Sequence, residues 1–202
     1  MLKIHTIFPM GFASNCYLLT ADGQRAVAID PSQERIISEA QRLGLTIEAV
    51  LLTHGHFDHV GACNRLSEEG VPIYCGEKER ELVSGINSMY REYGAPMPVF
   101  KVQSTLKDGQ KIQLCGIEFQ VIETPGHTAG SVCYLVENHL FTGDTLFRGS
   151  VGRCDLPTGD EEAIVKSVRK LYALDGAYNV YPGHSEQSTL DFEKKYNMCV
   201  RG

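Results

Sequence analysis

The sequence predicts an α/β fold of two stacked sheets with helices on the outside, in one domain spanning residues 1–202. Three observations carry this. Short apolar runs of strand character alternate with amphipathic helical stretches in both halves of the chain. No linker-like or low-complexity stretch separates the halves. Four apolar runs end in turns that carry histidine or aspartate, and a sandwich of two sheets brings such strand ends to one edge.

Taken in order, residues 2 to 8, 15 to 20 and 25 to 30 read as three strands, with Ala21-Asp22-Gly23 as a hairpin turn. Asp30-Pro31-Ser32 opens a helix whose Ile36, Ile37, Ala40 and Leu43 share one face, and Gly44 ends it. A strand over 46 to 52 leads into Thr53-His54-Gly55-His56-Phe57-Asp58-His59. Residues 59 to 69 read as a helix, with Gly61 and Ala62 small enough to let it lie close under that tract. A strand over 71 to 75 and a short polar helix over 77 to 83 follow. Residues 84 to 98 hold Gly85, Tyr90, Tyr93, Gly94, Pro96, Met97 and Pro98, a loop composition that suits a binding loop or a packed surface loop.

From 105 to 123, turns at Asp108-Gly109 and Cys115-Gly116 predict a three-stranded meander that ends in Thr124-Pro125-Gly126-His127. Strands at 131 to 136 and 139 to 142 lead to Gly143-Asp144. Glu161 to Leu174 is an amphipathic helix with Ile164, Val165, Val168, Leu171 and Leu174 on its apolar side. A strand at 178 to 181 ends in Pro182-Gly183-His184, and residues 186 to 197 form a last helix.

Composition narrows the function. With 43% hydrophobic and 22% charged residues the chain reads as an ordinary globular protein. A net charge of -6 argues against a partner bound through its phosphate backbone, so no nucleic acid is expected. Seven cysteines form no C-x-x-C pair and cannot all pair with each other, which suits buried apolar thiols in a reducing cytoplasm. The N-terminus alternates like a strand and lacks the apolar core of a signal peptide, and no apolar run reaches the length of a membrane span. A cytoplasmic protein without a membrane partner is expected.

The chemistry is concentrated at residues 54 to 59, where three imidazoles and one carboxylate follow an apolar strand. An adventitious histidine tract lacks the strand in front, the aspartate inside and partners elsewhere. Protonated imidazoles packed together repel, and a bound cation holds them neutral. His127, Asp144 and His184 each occupy the same strand-then-turn context, which leaves only His5 and His139 as surface or structural histidines. Imidazole and carboxylate donors suit zinc, iron or manganese.

The set His54-x-His56-x-Asp58-His59, then His127, Asp144 and His184, resembles the metallo-β-lactamase fold superfamily along essentially the whole chain. That resemblance implies a four-layer αββα sandwich with a metal site at one sheet edge. It implies two divalent metal ions, zinc first, with iron or manganese as alternatives. Metal one falls to His54, His56 and His127, metal two to Asp58, His59 and His184, and Asp144 bridges them. The stretches Gly143-Asp144-Thr145-Leu146-Phe147, Gly149-Ser150-Val151-Gly152-Arg153 and Asp155-Leu156-Pro157, with Thr124 through Ser131, are similar to short-form glyoxalase II-like thioester hydrolases, the hydroxyacylglutathione hydrolase group.

The implied reaction is hydrolysis of a small-molecule thioester, an S-acyl glutathione such as S-lactoylglutathione, to a carboxylic acid and a thiol. A metal-bridging hydroxide is the implied nucleophile, and Asp58 and Asp144 are the catalytic carboxylates. β-Lactamases of the fold typically use a cysteine where Asp144 stands, which argues against antibiotic hydrolysis. Long-form enzymes carry an additional C-terminal helical region that helps bind glutathione, whereas 18 residues follow His184 here, so the glutathione contacts do not carry over. Arg148 stands where the short-form hydrolases have a small residue and so bears on the pocket mouth. Arg153 either clamps a substrate carboxylate or ties down its own loop. Tyr90 and Tyr93 are further candidates for substrate contact. The alternative is a persulfide dioxygenase-like oxidoreductase on the same fold, with one iron on His54, His56 or His127, and Asp144.

Overall fold

The computed structural model describes residues 1–84 and 89–202. Gly85, part of the loop expected over 84 to 98, lies outside the described residues. The first six-stranded sheet runs β1 (Lys3–Ile7), β2 (Cys16–Thr20), β3 (Arg25–Ile29), β4 (Thr46–Leu51), β5 (Ile73–Gly76) and β6 (Val102–Leu106) in spatial order. Its first three strands are antiparallel and its last four run parallel. The second holds β7 (Lys111–Leu114), β8 (Ile117–Glu123), β9 (Val132–Val136), β10 (His139–Gly143), β13 (Asn179–Pro182) and β14 (Ser188–Thr189), ordered β14-β13-β10-β9-β8-β7. A small hairpin joins β11 (Leu146–Phe147) to β12 (Ser150–Val151).

The layering follows from the two-residue period of the strands. In β2 and β3, Cys16, Leu18, Ala26 and Ala28 point outward to a core shared with α1 (Arg35–Arg42) and α2 (Cys63–Glu68). Their neighbours Tyr17, Leu19, Val27 and Ile29 point inward and meet Phe119, Val121, Tyr134 and Phe141 of the second sheet. On that sheet Ile122, Cys133, Leu140 and Val180 face outward to Ile164, Val168 and Leu171 of α4 (Glu161–Tyr172) and Leu190 of α5 (Leu190–Tyr196). Strands covered on both faces read as unbroken apolar runs for this reason. The result is the expected αββα order. No helix among the described residues is long and apolar enough to cross a membrane.

Four expectations are corrected. The meander is split: β6 lies parallel to β5 in the first sheet, and the chain crosses at Asp108-Gly109 before β7 and β8 pair in the second. A turn sequence signals a reversal, while burial of Leu106 between the sheets decides which partner its strand takes. The helix expected from residue 59 begins at Cys63. Gly61 and Ala62 are small for another reason, because a Cβ on Gly61 would lie 2.1 Å from the Ser32 carbonyl and the Ala62 N–H donates to Pro31 O. The short segment at 77 to 83, a 3-10 turn (Glu77–Glu79) running into α3 (Arg80–Val83), is not a solvated polar helix but buries Glu79, Leu82 and Val83. The last helix starts at Leu190, after β14 has paired with β13 and Thr189 has capped it by accepting from the Phe192 N–H.

Candidate metal centre

The turns after β4, β8, β10 and β13 meet where the two sheets join. Backbone bonds hold that join: Val132 N–H donates to Thr53 O and Asn15 N–H to Gly183 O across the sheets, and Gly183 N–H to Gly143 O ties the last two turns within the second. Gly183 is required there, because a Cβ would stand 2.3 Å from Asp144 Oδ1 and 2.7 Å from His59 Cε1.

The imidazoles are oriented from behind. Asp30 ends β3 in a left-handed conformation (φ 48°) and is buried. Its carboxylate accepts from Thr53 N–H and Thr53 Oγ1, both at 2.7 Å, and from His59 Nδ1 at 2.9 Å. With its hydroxyl donated to Asp30, Thr53 Oγ1 accepts from His54 Nδ1 at 3.1 Å. His127 Nδ1 donates to Arg153 O at 2.7 Å. In these three rings Nδ1 carries the proton to a fixed acceptor, which leaves Nε2 as the donor atom facing the cluster.

Glu79 braces the two turns that carry His54, His56 and His127. Its Oε1 accepts from Gly55 N–H at 2.8 Å and its Oε2 from the Thr128 hydroxyl at 2.9 Å. Burial pushes this carboxyl up to about 7, against the pull of its N–H and O–H donors.

Seven side chains converge in front of these supports. His56 Nδ1 faces His127 Nε2 at 2.8 Å, His184 Nε2 faces Asp58 Oδ2 at 3.1 Å, and His59 Nε2 lies 3.3 Å from Asp144 Oδ1. The other Asp144 oxygen is 3.5 Å from His127 Nε2 and 3.7 Å from His184 Nε2. Among the described residues, three sets have ligand-type atoms within 4.8 Å of one another: His54, His56 and His127; His54, His59 and Asp144; and Asp58, His59 and His184. His139 stands apart, its Nδ1 against the Tyr181 hydroxyl, and His5 lies on β1.

Whether a cation fits can be judged from the atoms themselves. Nε2 of His54, His56 and His59 and Oδ1 of Asp144 are buried without a hydrogen-bond partner. The 3.3 Å between His59 and Asp144 is a charge contact without hydrogen-bond alignment. Unpartnered buried polar atoms are costly, and those of His54, His59 and Asp144, which face the cluster, want a shared partner, while His56 turns its Nδ1 inward. The gaps of 2.8 to 3.7 Å bracket the roughly 3.3 Å between donors on a tetrahedral ion with bonds of about 2.05 Å. Burial, reinforced by neighbouring imidazoles, holds His54 well below its ordinary value and His56 down to about 3, so both are neutral and able to donate a lone pair. Burial opposes charge on His59 too, but Asp144 and Asp30 on either side outweigh it and raise its pKa. Burial likewise opposes ionisation of Asp144 and Asp58, and the surrounding histidines still hold both below the usual carboxylate range. The donor set fits a divalent ion, and these residues could hold more than one.

A cavity of about 510 Å³ opens over the cluster. His56, Asp58, His127, Asp144 and His184 form its floor, while Pro9, Phe12, Phe57, Tyr93, Phe147, Leu156 and Arg153 line its sides. Tyr93 stacks on Phe57 with ring centroids 4.6 Å apart. Arg153 reaches the cavity but already forks onto the Asp155 carboxylate, with both bonds at 2.7 Å.

Two expected substrate contacts lie elsewhere. Tyr90 is buried in the outer core of the first sheet with its hydroxyl 3.3 Å from Gly55 O, because its ring fills space beneath the tract. Arg148 pairs with Glu186 at 2.8 Å and lies over the Phe192 ring, away from the cavity, because the loop before β14 and α5 each offer it a partner. Three contributors were not foreseen. Asp30 had a legible signal, an aspartate ending an apolar strand beside a ligand tract. Glu79 had none, since a glutamate in a charged segment reads as solvated. Phe12 sits in the apolar stretch between β1 and β2, which matched no motif.

Residues 9–184 match the metallo-beta-lactamase superfamily. The chain belongs to that family. It is 34% identical over 209 residues to the hydroxyacylglutathione hydrolase GloC of Haemophilus influenzae, covering 97% of each chain. The structure of the BLEG-1 B3 metallo-beta-lactamase superposes with a TM-score of 0.91 at 33% identity, over 99% of this chain and 100% of that one. TTHA1623 in a di-iron-bound form superposes with a TM-score of 0.86 at 37% identity, over 97% of this chain and 100% of that one. As a superfamily member this chain is a metal-binding metallohydrolase.

Proposed function

We propose that this metallohydrolase cleaves small-molecule thioesters of the S-acyl glutathione type and works with two divalent ions, zinc first among them. One observation carries the reading: two triads of imidazole and carboxylate donors lie side by side with Asp144 between them, at the floor of an open cavity. His54, His56 and His127 would hold one ion and Asp58, His59 and His184 the other, with Asp144 shared. Ions bound in such a set supply Lewis acidity toward a carbonyl oxygen and bring the pKa of water near neutrality.

The chain's own residues do the rest. Asp30, Thr53, Glu79 and the Arg153 carbonyl fix the ring orientations before any substrate arrives, so little reorganisation is left for the reaction. Of the two carboxylates, Asp58 is the less buried and is the one placed to pass the proton of an attacking water to solvent. In the net reaction the water oxygen bonds to the thioester carbonyl carbon and the C–S bond breaks. Its electron pair leaves on sulfur, which takes up a proton, and the new carboxylic acid ionises. The free state of all seven cysteines suits a reducing compartment such as the cytoplasm.

The test is one purified, metal-loaded sample assayed on S-lactoylglutathione, other thioesters, a β-lactam and glutathione persulfide, with ions per chain measured by elemental analysis. Two ions per chain and thiol release without oxygen uptake are expected. One iron per chain with oxygen consumption on the persulfide would replace this reading by the oxidoreductase one, and dominant β-lactam turnover would replace the substrate class.

A further inference from the structure

We infer that the cavity selects thioesters by an apolar acyl group laid along Phe12, Phe57, Phe147 and Leu156, and not by the charged ends of a glutathione carrier. This rests on the thioester hydrolase reading and narrows its substrate class. Glutathione presents two carboxylates and an ammonium, and desolvating them is unfavourable unless the site supplies partners. Among the described residues lining the cavity outside the histidine and aspartate cluster, Arg153 is the single charged side chain. Asp155 already takes its Nε and Nη2 donors and pairs with its charge. Among the described residues the wall has no unpaired counter-charge to offer a second carboxylate.

What the wall does offer is apolar surface. Phe12 lines the cavity and yet is 83% exposed, held out by the turn between β1 and β2. A phenylalanine in that state gains only when something covers it, and apolar clefts with a few placed polar groups are the ordinary form of a ligand site. Phe147 stands close to the cluster, its ring centroid 6.0 Å from that of His184, and Phe57 is steadied by its stack with Tyr93. A carbonyl carbon at the cluster therefore has an apolar channel beside it for the rest of the acyl group. The hydrolytic step is unchanged: water adds to the carbonyl carbon, the C–S bond breaks, and the thiolate takes up a proton.

The experiment uses the metal-loaded full chain with two series on N-acetylcysteamine, a thiol with no ionised carboxylate. One series is hydrolysable thioesters from acetyl to octanoyl, compared with S-lactoylglutathione. The other is the matching S-alkyl thioethers, which cannot be hydrolysed, followed by calorimetry. Expected are a rise in kcat/KM and a tightening of thioether binding of about two- to fourfold per methylene, the upper value being full burial of each group. Phe12→Ala flattens both slopes, whereas Phe8→Ala, outside the cavity lining, keeps them. Flat slopes in both series, or S-lactoylglutathione ahead of every apolar thioester by about tenfold, would overturn the inference and leave the hydrolase reading standing. Graded thioether binding with no thioester cleaved would sink the hydrolase reading and leave the apolar channel standing.

Discussion

The two halves of the metal cluster use similar donors in opposite settings. His54, His56 and His127 are all at most 4% exposed, and Glu79 bridges the turns that carry them. Asp58, His59 and His184 hold one equally buried ring, but the His184 side chain is 34% exposed and that of Asp58 18%. The sealed half is all imidazole, with burial keeping His54 and His56 neutral, while the more exposed half mixes carboxylate and imidazole; both halves reach the cavity floor, through His56 and His127 on one side and Asp58 and His184 on the other. The contrast separates two tasks. A donor set locked before the ion arrives gives affinity, and a set that solvent and substrate can reach gives turnover.

The largest expected effect comes from removing what the halves share. Asp144→Asn should lower kcat by about a thousandfold or more, the scale of deleting a group that acts on developing charge, with the far-ultraviolet circular dichroism spectrum retained. Unfolding instead would make Asp144 a structural brace between the halves. Next, His54→Ala and His184→Ala should differ: the first strips the tightly held ion, and the second leaves about one ion per chain after dialysis, read by elemental analysis. Equal losses would erase the distinction between sealed and open halves.

Glu79→Gln leaves one oxygen where two accept, from Gly55 N–H and the Thr128 hydroxyl. Chelator competition should show an affinity loss of about 10- to 100-fold at the sealed half and a smaller one at the open half. The same variant has a pH signature in metal-free protein. Glu79 titrates near 7 in the folded chain against an ordinary 4.5, so as pH rises the unfolded chain gives up its proton first. Wild type should lose stability relative to Glu79→Gln between about pH 4.5 and 7 and not beyond, as denaturant titration would read. A constant difference across that window would mean the carboxyl is ionised throughout. The smallest effect belongs to Arg148→Ala: an exposed pair with Glu186 should change stability by no more than about 1 kcal/mol and leave KM where it is.

What could be read in advance follows the same division. Two stacked sheets with helices outside were legible from the alternation of strand and helix patterns in both halves, and the αββα order from the family resemblance; the structure adds that runs such as Ala26-Val27-Ala28-Ile29 are unbroken because their strands are buried on both faces. The tract at 54 to 59 and the turns at His127, Asp144 and His184 were legible because unusual residue types sit in a repeated context, and the structure brings all seven together. The supports behind them were not. Glu79 acts through distance in space to Gly55 and Thr128, and nothing local marks a glutamate as buried. Tyr90 misled in the other direction, since an aromatic in a glycine- and proline-rich segment suits a binding loop and a core filler equally. The side on which β6 pairs was likewise set by packing of Leu106, beyond the reach of a turn motif.

The join between the sheets also bears on when the protein can be completed. Four of the seven cluster residues leave the ribosome within one hexapeptide, whereas His127, Asp144 and His184 follow over the rest of the chain. Neither outer triad is complete within one ligand turn: the first needs His127 and the last needs His184. Ion loading is thus a late event in biogenesis, dependent on docking of the second sheet against the first. The binding free energy then falls on that docked seam, so chelation should loosen the union of the two sheets ahead of either sheet's own strands.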